Sequence, residues 1–174
     1  MNYKPHDLLS FSTHGLYRVD NIDCLQAGIS SNEFYILSKL NSNVGHKTYV
    51  AVGSAKKDGL RPVITVKQLD QIKEDWSHAT VCPVDRKLNC VQKVESLTKL
   101  VISEGFVGHL KAFRASAIDL KSGKKEDKKV KEFNLKIRKA MIEELSLAHS
   151  VSNFDAEKEL NSILDLNRED ASQI

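Results

Sequence analysis

The chain has 174 residues, of which 41% are hydrophobic and 28% charged, with a formal net charge of +3. That balance belongs to a soluble globular protein with room for two small domains or one of ordinary size, and it carries no overall signature of disorder. No apolar run is long enough to cross a bilayer and the start, Met1 to Asp7, is polar, so a cytoplasmic protein with no membrane partner is expected.

From Asp7 to Val52 the chain reads as short β-strands separated by turns. Asp7 to Phe11 is short and apolar-rich, Leu16 to Cys24 alternates in part, and Phe34 to Leu37 and Tyr49 to Val52 are compact β-prone runs. His14-Gly15, Gly28 to Asn32 and Asn41 to Gly45 supply turns at hairpin spacing. This predicts a small SH3-like barrel. Gly53 to Gly59 is a polar loop bounded by glycines, and Pro62 restricts the segment after it to extended or turn geometry, which closes the barrel and places a domain boundary near Thr65.

The rest of the chain reads as helices. Thr65 caps a helix over 66–76, with Val66, Leu69, Ile72 and Trp76 on one side, and Trp76 is read as a packing residue. Pro83 suits the first turn of a second helix that runs to Glu104 and stops at Gly105, burying Leu88, Val91, Val94 and Val101. Arg86, Asn89, Lys93 and Ser96 then fall on its solvent side. A third helix over 106–120 carries the stripe Phe106, Leu110, Phe113, Ala117 and Leu120. The longest helix follows over 128–150, with Val130, Phe133, Ile137, Met141, Leu145 and Ala148 facing the core. Ser152 or Asn153 caps a last helix containing Phe154, Leu160, Ile163 and Leu164.

Charge is unevenly distributed. The stretch from Lys121 to Lys139 has a local balance of +6 and that from Ile142 to Ile174 one of −6, which fits either oppositely charged solvated faces or a basic surface turned toward nucleic-acid phosphate. Catalytic motifs are missing: there is no GxSxG, GxxxxGK[ST], HExxH or CxxC. The six histidines are scattered singly and read as surface or turn residues. Cys24, Cys82 and Cys90 match no zinc pattern, and His78, Cys82 and Cys90 lack a fourth ligand nearby. A non-enzymatic protein without metal or cofactor is expected.

Two regions carry a family resemblance. An Asp before a β run, then His14-Gly15, Val19-x-x-Ile22, an aromatic strand and a valine strand resemble the N-terminal module of the CarD/CdnL family of bacterial transcription regulators, and Gly59-Leu60-Arg61 looks like the family's short Gly-x-Arg segment. Near the other end, Lys136 to Ala148 is similar to the family's late helix, with a basic start, Ala140 midway and the close Glu144-Leu145-Ser146-Leu147-Ala148. The resemblance implies an N-terminal Tudor-like barrel over 1–65 that docks on the RNA polymerase β subunit, and a helical DNA-binding domain over 66–174.

On that resemblance the docking positions are Leu25, Tyr49, Val50 and Ala51. The family tends to place Arg where Leu25 and Tyr49 stand, and Pro where Ala51 stands, so docking would rest on strand addition through backbone groups. The family's minor-groove Trp corresponds to the region of Cys82 to Val84, which holds no aromatic residue. Arg86 and Lys87 match the basic pair after that Trp. Arg86, Lys87 and Lys93 are the first candidates for phosphate contact, with Lys111 and Arg114 as further ones.

The expectation is therefore an α+β protein, an all-β barrel followed by a compact all-α domain, that acts as a monomer in the nucleoid. It would bind the polymerase β subunit and double-stranded promoter DNA and stabilise the open complex. The alternative is an interaction adaptor whose helices never touch DNA.

Overall fold

The computed structural model describes residues 3–27, 30–42, 45–81, 83–85, 87–122 and 128–166. Among these residues five strands, β1 (Leu8–Phe11), β2 (Leu16–Ala27), β3 (Ser30–Lys39), β4 (Lys47–Ala51) and β5 (Leu60–Pro62), form one antiparallel sheet in the order β4-β3-β2-β1-β5. The described residues after them form four helical elements: α1 (Val66–Ser77), α2 (Cys90–Ser122), α3 (Lys128–His149) and α4 (Asn153–Asp165).

The chain turns from β1 into β2 through a 3-10 turn, Ser12–His14, and Gly15 at φ 94, a backbone angle that side chains disfavour. β2 and β3 are longer than the sequence suggests and pair from Tyr17↔Lys39 to Ala27↔Ser30. A bulge leaves Asp20 without a partner in the register, between Val19↔Leu37 and Asn21↔Ile36. The carboxylate of Asp20 accepts from Lys47, Ser38 and Arg18, tying the bulge to β3 and, beyond it, to the start of β4.

The expected closed barrel is not what forms. β4 and β5 are the two edges of the sheet and do not pair with each other. The reason lies in the turn after β4, where Ser54 N donates to Ala51 O, Asp58 N to Ser54 O and Leu60 N to Ala55 O. This compact turn delivers β5 to the free edge of β1, at Leu9↔Pro62 and Phe11↔Leu60, and Pro62 then ends the three-residue strand. One face of the open sheet is nonetheless a closed apolar cluster, with Leu9, Val19, Tyr35, Leu37, Val50 and Leu60 all buried.

Helix α1 begins in a capping box: Thr65 accepts from Gln68 N while the Gln68 side chain accepts from Thr65 N. Leu69 and Trp76 are buried as expected, Trp76 at 1% exposure, whereas Val66 is exposed because it sits in the first turn, before the helix meets the others. The second helix starts at Cys90, not at Pro83. Asn89 decides this, since its side chain accepts from Val91 N and Gln92 N and so caps the helix seven residues late.

Gly105, at φ 60 and ψ −127, breaks α2 as the sequence suggests, and the break is a reversal. Lys93 and Asp119, 26 residues apart, are joined at 2.9 Å. A straight helix would hold them about 39 Å apart. The two halves lie side by side as a hairpin, with Leu97 and Val101 of the first packed among Ala112 and Ala115 of the second and Phe133 and Ile137 of α3. Gly108 permits the close approach, because a Cβ there would meet Leu100 O at 2.3 Å.

α3 buries Val130, Phe133, Ile137, Met141 and Leu145 in the expected row. Ser152 caps α4, which buries Ala156, Leu160, Ile163 and Leu164 and leaves Phe154 exposed under the ammonium of Lys158. Among the described residues no helix is long and apolar enough to cross a membrane.

Candidate functional site

Three regions bear on function: the free edge at β4, the basic residues of the helical part, and the junction between sheet and helices.

At β4 the expected docking residues Tyr49, Val50 and Ala51 stand on an edge strand, since no strand among those described pairs on the far side. Val52 N donates to Glu33 O, and in an antiparallel ladder bonded and non-bonded pairs alternate. Val50 opposite Tyr35 therefore turns its backbone groups inward to β3, and Tyr49 and Ala51 turn theirs outward. Ala51 O is already taken by Ser54 N. The outward N–H groups of Tyr49 and Ala51 remain for a partner, beside the Tyr49 ring at 53% exposure. Val50, at 5% exposure, belongs to the sheet core instead. Leu25 pairs with Asn32 in the β2–β3 ladder, away from β4, and its side chain lies outside the described residues.

The expected phosphate contacts do not form one free basic face. Lys93 lies off the solvent side, at 14% side-chain exposure, with Nζ 2.9 Å from both oxygens of buried Asp119. Reversal of α2 is the cause, because it presents the second half of the helix to the first. Lys111 binds Glu104 at 2.7 Å across the same reversal, and Arg114 Nη1 donates to Leu164 O at the end of α4. Lys87 is exposed, in the loop before α2, where its N–H is held by Asp85. Arg86 lies outside the described residues.

The junction is built around Glu144 of α3, which is 1% exposed. Its carboxylate accepts from Arg61 Nη1 and Nη2 at 2.6 and 2.8 Å, from Ile64 N at 2.9 Å and from Ser10 Oγ at 3.1 Å. The four bonds satisfy a carboxylate that burial would otherwise penalise heavily. Next to it, buried His109 of α2 has Nδ1 2.8 Å from Gly105 O and Nε2 2.9 Å from Ser12 O, so one imidazole spans the helix reversal and the 3-10 turn of the sheet. Burial, and after it the Arg61 guanidinium, pushes the His109 pKa below the usual 6.5, although the two carbonyls act the other way. His109 is thus a core residue, not the surface histidine its isolated position in the sequence suggests.

Arg61 and Glu144 each lie within a segment that carries the family resemblance, but nothing in the sequence signals that they pair across 83 residues. Comparison with protein-family models and with curated proteins returns no match for this chain.

Proposed function

We propose that this chain is a non-enzymatic bacterial transcription regulator whose sheet acts as a Tudor-like module on the RNA polymerase β subunit while its helical part holds promoter DNA, stabilising the open complex. The observation that carries the reading is the pairing of Arg61 with Glu144. The Gly-x-Arg segment and the Glu-Leu-x-x-Ala helix end, two separate parts of the resemblance, meet in one bidentate bond, as segments that serve a shared architecture would. That bond also fixes the sheet to the helices, and a bridge between polymerase and DNA needs such a joint to keep both grips in register.

In this reading the polymerase adds a strand to β4 through the outward N–H groups of Tyr49 and Ala51. Arg86 and Lys87 contact phosphate without reading bases. The DNA arm is tested by measuring duplex binding against salt for the parent and for a chain with Arg86→Glu and Lys87→Glu. The parent should show a salt slope that becomes shallower by about 0.9 for each phosphate-binding cation removed. The adaptor reading has its own support, because Lys93, Lys111 and Arg114 are all engaged within the protein. A parent without affinity for DNA at low salt would favour the adaptor.

A further inference from the structure

Where the 3-10 turn and the end of β3 face α3, there is a cleft of about 260 Å³ whose wall includes His14, Gly15, Lys39, Lys136, Lys139 and Glu143. The walls are held close: a Cβ on Gly15 would meet Glu143 Oε2 at 2.9 Å, and the His14 ring is braced by Phe11 with centroids 5.1 Å apart. Three lysines and one glutamate line this space. Glu143 stands 3.9 Å from Lys139, while Lys39 and Lys136 form no ion pair among the described residues. By contrast, Lys93, Lys111 and Arg138 of the helical part are engaged with Asp119, Glu104 and Glu157.

We propose that this cleft is a binding site for a phosphate oxyanion, with Lys39 from the sheet and Lys136 from α3 as its two principal donors and Lys139 as a third. Two unpaired cations from different elements, converging on one concave surface, match an anion that accepts several charge-assisted hydrogen bonds. The state of His14 agrees: burial first, then Lys39 and Lys136, lower its pKa below 6.5, so both lysines act on the same imidazole. A dianion among them would offset that repulsion and draw a proton onto His14. Glu143 opposes binding and sets a limit on affinity. The phosphate belongs either to a small phosphorylated molecule or to a nucleic-acid backbone, and the site does not depend on the regulator reading.

The test is an NMR titration of the full chain with inorganic phosphate, at constant ionic strength made up with chloride, following the His14 ring and the Gly15 amide. Saturable shifts are expected, with an upward move of the His14 titration midpoint. Lys39→Ala or Lys136→Ala, both at exposed positions, should weaken binding about threefold to tenfold, and Glu143→Gln should tighten it. A duplex DNA arm separates the sources. Displacement of phosphate by DNA at these same signals assigns the site to a nucleic-acid backbone, and phosphate binding untouched by DNA assigns it to a free phosphate group. A chain that binds phosphate here and never binds DNA keeps this site while the regulator reading falls. Shifts that are linear in phosphate, equal in chloride, or unchanged by the lysine substitutions would overturn the proposal.

Discussion

Glu144 in α3 accepts both terminal N–H groups of Arg61, the middle residue of β5, and the same carboxylate holds Ile64 N at the entrance to α1. One buried group thus anchors the last strand, the first helix and the longest amphipathic helix. Breaking such a site costs more than the bonds themselves, because the cation left behind, its side chain only 23% exposed, is largely withdrawn from water and has lost its partner.

Replacing Glu144 with Ala should destabilise the protein by about 3–5 kcal/mol in urea unfolding, and Glu144→Gln by less, since an amide keeps one acceptor for Arg61. Glu143→Ala, one residue away and facing the cleft, should cost no more than about 1 kcal/mol. Sheet and helices should unfold together in the parent. Two separate transitions would contradict the joint described here.

His109 supplies a pH dependence. Its pKa is lowered in the folded chain, first by burial and then by Arg61, so the unfolded chain takes up a proton there at a higher pH. Its stability contribution is full above 6.5 and is lost progressively as pH falls below that value. Unfolding free energies measured between about pH 7 and pH 5 should drop more steeply for the parent than for His109→Gln. Parallel curves would show that the imidazole keeps its ordinary titration.

Asp20 acts in a lower window. Lys47, then Ser38, hold its carboxyl at about 2, below the usual 3.8. A depressed carboxylate stabilises the fold above its unfolded pKa, and that contribution disappears as pH falls toward 2. Asp20→Asn should therefore lower stability near neutral pH and flatten the acid side of the stability curve. An acid limb identical to the parent's would show that Asp20 has no part in it.

At β4, two proline substitutions one residue apart should have opposite characters. Val50→Pro strikes an inward, buried position and should destabilise the sheet by breaking the ladder to β3. Tyr49→Pro removes only an outward donor and an exposed ring, so the chain should stay folded and lose its binding to polymerase in a pull-down with the full chain. Full retention by a folded Tyr49→Pro variant would exclude the β4 edge as the docking surface.

Local chemistry is legible in the sequence, and long-range geometry is not. The Thr65 cap, the Gly105 break, the core row of α3 and the Ser152 cap are each set within a turn or two, where residue type and spacing decide the outcome. The reversal at Gly105 is different in kind. A glycine stop looks the same whether the next helix leads away or folds back, and Lys93 reads as a solvent residue until the second half of α2 brings Asp119 against it. Likewise, β5 carries no mark that tells β1 from β4 as its partner, so an open sheet and a closed barrel share one strand pattern. Pro83 and Asn89 are both good helix initiators by residue type, and only the side chain of Asn89 is placed to cap α2. The phosphate cleft joins Lys39 to Lys136 across the sheet and a helix, a proximity that no spacing rule contains.

A chain that grips polymerase and promoter together should slow the collapse of the melted state. The lifetime of open complexes formed by bacterial RNA polymerase, measured after a competitor challenge with and without the full chain, reads this out. A longer lifetime is expected with the chain present, and the Tyr49→Pro variant should abolish the gain. A lifetime that the parent chain leaves unchanged, at concentrations where it binds polymerase, would contradict the proposed bridge.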